Sequence, residues 1–200
     1  MRRWIEPLLL ALLISGCAGP TTLPDAPPGS DSSNDVRIPL DPTAQQAFER
    51  ALNALQNEAY TQSIEGFQAL TLSHPAYRGP WINLAIAWGR KGDIERARGL
   101  FRDMVSRHPD WAMAHHELAI LQRQAGEFAA ARRSYEAAIV AQPDFALAYR
   151  NLGLLCDLYL HDINCALSKY EKYQALLEVE DKEVALWIAD AKRRLAKDGE

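Results

Sequence analysis

A spacing of 34 residues governs this chain. Pro75, Pro109 and Pro143 are each separated by that interval, and each is followed two residues later by an aromatic side chain: Tyr77, Trp111 and Phe145. Other columns keep the same step. Leu84, Leu118 and Leu152 align, and directly after them Ala85, Ala119 and Gly153, with Ala51 one period earlier. Gly92 aligns with Gly126, Ala97 with Ala131, and Phe67 with Phe101 and Tyr135. A fixed period of this length marks stacked supersecondary units. Each is too small to bury its apolar face alone, so the core forms between neighbours.

These columns resemble the tetratricopeptide repeat, whose pattern is an aromatic, Leu-Gly, an aromatic, a turn Gly, Ala, an aromatic, Ala and Pro. The second repeat matches best, with Trp81, Leu84-Ala85, Trp88, Gly92, Ala97, Phe101 and Pro109. The third keeps Leu118-Ala119, Gly126, Ala131, Tyr135, Ala138 and Pro143, and the fourth keeps Tyr149, Leu152-Gly153, Ala166, Tyr170 and Tyr173. The first is degenerate, with Arg50-Ala51, Tyr60, Phe67, Leu70 and Pro75. The resemblance implies an all-α, right-handed superhelical solenoid of about four helix hairpins. Each repeat would be two antiparallel helices, A and B. Small residues in the Ala85 and Ala97 columns let the two approach closely, and aromatics fill the space between repeats. Gly after helix A permits the left-handed backbone of a tight cap, Pro ends each unit, and Asp41-Pro42 fits an N-cap followed by Pro at the first helical position.

The expected divisions are 42–76, 77–110, 111–144 and 145–176 for the repeats, within an array spanning 42–176. Residues 177–200 follow, where Val184, Leu186, Trp187, Ala191 and Leu195 fall among charges at roughly helical spacing. They predict a helix that packs on the fourth repeat and caps the array. The fourth repeat departs from the period: Ala131 to Ala166 is one residue longer than a repeat, and the turn near Leu160-His161-Asp162 has no Gly.

The N-terminus reads as a targeting segment. A positive start, Met1-Arg2-Arg3-Trp4, precedes the apolar run from Leu8 to Ile14 and the small pair Ser15-Gly16 before Cys17. This is the layout of a secretory signal peptide over residues 1–16, and the apolar run is too short to span a bilayer. Ile14-Ser15-Gly16-Cys17 also resembles the lipobox of bacterial lipoproteins, which implies a lipidated (palmitate-bearing) Cys17 at the start of the mature chain. Ala18, by resemblance to lipoprotein sorting signals, favours the outer membrane on its periplasmic face. Residues 17–41 would then form a disordered tether, because their Pro, Gly, Ser and Asp content cannot bury enough surface to offset ordering. Fully extended, such a tether reaches ~80 Å.

Little in the chain suggests chemistry. Cys156 and Cys165 lie on either side of the fourth hairpin turn. An exported protein meets a disulfide-permissive compartment, so they either bond or pack as two small apolar thiols. The pair His115-His116 points about 100° apart on a helix and does not chelate as i and i+4 residues would. We expect no metal, no cofactor and no catalytic group, since no nucleophile elbow, zinc-protease helix or phosphate loop occurs. The formal net charge is −4 with no long basic tract, which argues against nucleic acid as a partner.

What remains is a binding surface. In tetratricopeptide arrays helix A lines the concave face. By register this places Ile82, Asn83, Ile86 and Arg90 there from the second repeat, His116, Ile120 and Arg123 from the third, and Arg150, Asn151, Leu154 and Asp157 from the fourth. Asn83, Asn151 and Arg150 resemble part of the family's carboxylate clamp, but its lysines are missing. Ile, Leu and Arg together suit a peptide with apolar anchors and some acidic groups, whereas the Asn residues could equally tie helices together. The expected function is an outer-membrane-anchored periplasmic adaptor or scaffold for an envelope assembly, not an enzyme. Its partners would be other envelope proteins or their peptide segments. The alternatives are a pilotin-like assembly factor for a pilus or secretin, an accessory of a TonB-type uptake system, a self-associating homo-oligomer and, more distantly, an enzyme subunit.

Overall fold

The computed structural model describes residues 41–198. The signal segment, Cys17 and nearly all of the tether lie outside them. Among the described residues there are nine helices and no strand: α1 (Pro42–Gln56), α2 (Tyr60–Ser73), α3 (Arg78–Lys91), α4 (Ile94–Arg107), α5 (Ala112–Gln124), α6 (Phe128–Ala141), α7 (Ala146–Leu158), α8 (Ile163–Ala175) and α9 (Lys182–Asp198). Each helix packs on the one before it and the one after it. The described residues thus form a solenoid of four hairpins followed by a single helix. No described helix is long and apolar enough to cross a membrane.

Local chemistry sets the helix ends. Asp41 accepts hydrogen bonds from the Thr43 and Ala44 N–H groups at 2.9 and 3.0 Å, and Pro42 opens α1. Asp93 and Asp162 cap α4 and α8 through the Arg96 and Cys165 N–H groups. These carboxylates satisfy donors that the first turn of a helix leaves unpaired. Inside each hairpin one residue turns the chain with a positive φ: Glu58 at 59°, Gly92 at 101°, Gly126 at 76° and His161 at 52°. The first and last hairpins therefore use the same device as the middle two, without its usual residue.

The joints between repeats are also periodic. The Tyr77, Trp111 and Phe145 N–H groups donate to the carbonyls of His74, His108 and Gln142. Six residues after each proline, a polar tip returns to the proline carbonyl. Trp81 Nε1 donates to Pro75 at 3.0 Å, His115 Nε2 to Pro109 at 3.1 Å, and the Tyr149 hydroxyl to Pro143 at 3.1 Å. His115 is thereby a joint residue, and burial pushes its pKa down while the Pro109 carbonyl pulls it up.

The repeat columns form the core. Phe67, Phe101, Tyr135 and Tyr170 are all at most 1% exposed. Leu84, Leu118 and Leu152 pack against the B helix of the preceding repeat, each in the cluster that holds its aromatic. This explains the degenerate first repeat. Arg50 stands in the Leu column, and no repeat precedes α1 among the described residues, so nothing there requires an apolar side chain. Small residues mark the close approaches: Ala85, Ala97, Ala119, Ala131 and Ala166 are fully buried. A Cβ built on Gly153 would meet the Tyr170 ring at 2.5 Å.

Helix α9 closes the last repeat. Val184 and Ala191 are fully buried, and Trp187 lies 5.4 Å from Tyr170, ring to ring. The Tyr173 hydroxyl donates to Asp181 at 3.0 Å, and Lys192 reaches Glu171 at 2.8 Å. Cys156 and Cys165 are joined in a disulfide with Cα atoms 5.9 Å apart. It spans the fourth hairpin, whose turn is the longest of the four.

Candidate functional site

The residues assigned by register to the A helices do not form one uniform surface. Ile82 and Ile86 are half-buried. Ile82, like Trp81 and Trp88, packs at the edge of the Phe101–Trp111–Leu118 cluster, and Ile86 joins that cluster and the one around Phe67 and Leu84. Ile120 and Leu154 are half-buried at the edge of the cluster around Tyr135, Leu152 and Tyr170. These four present part of their apolar surface and keep the rest in the core. Asn83 donates to Gly79 of its own helix at 2.9 Å.

His116 differs from the expectation of an open groove position. It is 4% exposed, with ring centroids of Phe145 at 5.0 Å and Tyr135 at 5.7 Å. Its Nδ1 lies 3.2 Å from the Glu117 carboxylate and its Nε2 lies 2.8 Å from Asn151 Nδ2. Asn151 Nδ2 donates to this ring, and the other ring nitrogen faces the Glu117 carboxylate, which accepts. The pair ties α5 to α7, so His116 and Asn151 set the spacing of successive A helices.

Two fourth-repeat residues are engaged by α9. Asp157 is only 14% exposed in its side chain and accepts from Arg194 at 2.7 Å and from the Tyr170 hydroxyl at 3.4 Å. The Arg150 guanidinium lies 5.2 Å from the Trp187 ring centre and 3.8 Å from Glu183. The terminal helix thus occupies the end of the row that register reasoning left open.

Arg90 and Arg123 are held less tightly. Neither pairs with a carboxylate among the described residues. The Arg123 guanidinium lies 5.8 Å from the Tyr159 ring centre, its Nη1 reaches the Tyr159 hydroxyl at 3.5 Å, and its buried Nε has no partner among the described residues. Burial pushes the nearby Tyr135 hydroxyl up to about 12, with the Arg123 charge opposing that shift.

Two residues of the fourth hairpin turn, one of them the Tyr159 that Arg123 overlies, were not singled out from the sequence. Leu158 is 59% and Tyr159 38% exposed, and the Tyr159 ring packs on Phe128 at 4.7 Å. A signal was present. Leu158-Tyr159-Leu160 stands where earlier repeats have Arg90-Lys91-Gly92 and Gln124-Ala125-Gly126, an apolar run in a turn otherwise built of polar and small residues. No group of His, Cys, Asp and Glu among the described residues is arranged to hold a metal ion.

No family model matches the chain. No curated protein matches it by sequence. Solved structures do resemble it. A thermophilic tetratricopeptide-repeat protein of Thermus thermophilus, TTC0263, is 21% identical over 74% of this chain and 80% of its own, with a TM-score of 0.63. MamA of Desulfovibrio magneticus RS-1 is 18% identical over 79% of this chain and 88% of its own, with a TM-score of 0.61. A tetratricopeptide-repeat protein from Parabacteroides merdae is 19% identical over 68% of this chain and 54% of its own, with a TM-score of 0.56. At such identities the likeness is one of architecture: the described part of the chain has the fold of a tetratricopeptide-repeat solenoid.

Proposed function

We propose that this protein is an exported adaptor, tethered by a lipidated Cys17 to the periplasmic face of the outer membrane, that holds partner proteins of an envelope assembly on the A-helix face of its solenoid. The observation that carries this reading is the row on α3 and α5. Half-buried Ile82, Ile86 and Ile120 lie beside Arg90 and Arg123, whose guanidiniums have no carboxylate partner among the described residues. Apolar side chains with unpaired cations form a surface that gains by covering, and an acidic, partly apolar segment supplies both kinds of contact. A scaffold role is in keeping with the fold, and the chemistry on this face is that of recognition. The sequence around Cys17 and the length of the tether supply the anchoring half of the proposal.

Two experiments test the halves separately. Affinity capture with the full lipidated chain should lose its partners when Arg90 and Arg123 are both changed to Glu, while circular dichroism shows the fold unchanged. An unaltered partner set would remove the A-helix face from consideration. Cys17→Ser should shift the protein from the membrane to the soluble periplasmic fraction, and retained membrane attachment would refute the lipid anchor.

A further inference from the structure

We propose that the A–B turn of the fourth repeat carries an anchoring subsite for partner segments in which a large apolar side chain neighbours a carboxylate. This rests on the adaptor reading and adds to it a place and a chemistry. Leu158 and Tyr159 expose 59% and 38% of their surface, side by side, at the end of α7. Tyr159 leans on Phe128 at the start of α6 with ring centroids 4.7 Å apart. The apolar surface therefore crosses from the third repeat to the fourth without a break. Single exposed apolar side chains are ordinary on a protein surface, whereas a contiguous group beside an unpaired charge is the composition of a recognition site.

The charge selects the occupant. Arg123 lies over the same tyrosine ring, reaches its hydroxyl at 3.5 Å, acts on the buried Tyr135 hydroxyl behind it, and has no carboxylate partner among the described residues. Other arginines near the hairpin turns are engaged: Arg98 holds Glu127 at 2.6 Å, and Arg132, one period later, lies 3.7 Å from Asp162. The Arg123 Nε is buried, so a carboxylate arriving beside Tyr159 would meet the guanidinium through its terminal Nη groups, in a charge-assisted contact. An apolar side chain next to that carboxylate covers Leu158 and the open edge of Phe128. Arg123 sets a positive charge beside the Tyr159 ring, so complementarity there favours an acidic segment over a basic one.

The test selects random peptides displayed on phage against the immobilised full chain, then titrates a synthetic copy of a selected peptide by fluorescence anisotropy. Selected sequences should place Leu, Ile or an aromatic next to Asp or Glu. Leu158→Ser and Tyr159→Ser should each weaken binding roughly tenfold or more, as expected for anchors at the centre of a contact. Tyr159→Phe keeps the ring and should stay within about twofold. Arg123→Gln should erase the preference for the acidic peptide over its amide counterpart. Full affinity in both Leu158→Ser and Tyr159→Ser overturns the subsite. If Ile86→Ser and Arg90→Gln then lose binding, the adaptor reading stands and the subsite alone falls, whereas indifference to all of these changes removes both. Failure to select any peptide also counts against the subsite. So does sedimentation showing a dimer of the native chain that Leu158→Ser dissociates, since the patch would then belong to a second copy.

Discussion

Glu58 and His161 hold the left-handed backbone that Gly92 and Gly126 hold in the middle hairpins. A side chain in this region meets its own backbone and costs about 1–2 kcal/mol, part of which glycine returns to the flexibility of the unfolded chain. Glu58→Gly and His161→Gly are therefore each expected to stabilise the protein by about 0.5 kcal/mol, read as a higher urea midpoint. A lower midpoint for either would mean that its side chain contributes more than its backbone costs. Gly153 shows the opposite constraint. Its Cα faces the Tyr170 ring, so Gly153→Ala places a carbon 2.5 Å from a ring that is 1% exposed. Overpacking of this kind costs about 1–3 kcal/mol, which outweighs the gain in helix propensity of about 1 kcal/mol. Denaturant titration of Gly153→Ala should show a net loss, and an unchanged midpoint would show that Tyr170 yields.

The disulfide and the terminal helix decide how firmly the fourth hairpin is held. Cys156–Cys165 closes a short loop, for which the chain-entropy estimate is about 2–3 kcal/mol. Reduction, or replacement of both cysteines by Ser, should lower stability by that order. Hydrogen exchange should show the loss first in α7 and α8. Uniform acceleration across all helices would place the effect elsewhere. Asp181 governs the start of α9. Burial pushes its pKa up, but the Val184 and Glu183 N–H groups, the Tyr173 hydroxyl and the Arg150 charge together hold it below the ordinary 3.8. A carboxyl whose folded pKa is depressed stabilises the fold above its unfolded pKa, and that contribution fades as pH falls through the folded value. Docking of α9, followed by Trp187 fluorescence, should therefore hold at pH 5 and weaken below about 3.8, with Asp181→Asn flattening the dependence. An identical acid profile in Asp181→Asn would refute this assignment.

Across the whole array, each repeat borrows its core from the next. The Leu column packs backwards onto the preceding B helix, and α9 supplies this cover for the fourth repeat with Val184 and Trp187. Removing residues 178–200 uncovers Tyr170 and Tyr173, and at roughly 1.5–3 kcal/mol per large buried side chain the loss should exceed about 3 kcal/mol. In a solenoid this loss starts at the cut end, so exchange of α7 and α8 amides should accelerate before that of α3 and α4. Equal acceleration throughout would show that the array unfolds as one unit.

The period alone determined the repeats, because every interior residue of a solenoid faces a neighbour built on the same plan. A single requirement, such as Ala against Ala or an aromatic between hairpins, therefore recurs at a fixed step and can be read from one chain. Helix caps were legible for the same local reason: Asp41-Pro42 acts through residues two and three positions away. The binding face was legible only by register, and register does not know what lies across from a side chain. His116 turns inward because Phe145 and Asn151 of the next repeat receive it, and Asp157 is engaged because α9 brings Arg194 to it. The pairing of Cys156 with Cys165 and the exposure of Leu158 and Tyr159 likewise depend on how the irregular fourth turn folds. Repetition reveals contacts that every repeat makes, while the contacts that occur once, at the array's end, are set only when the helices meet in three dimensions.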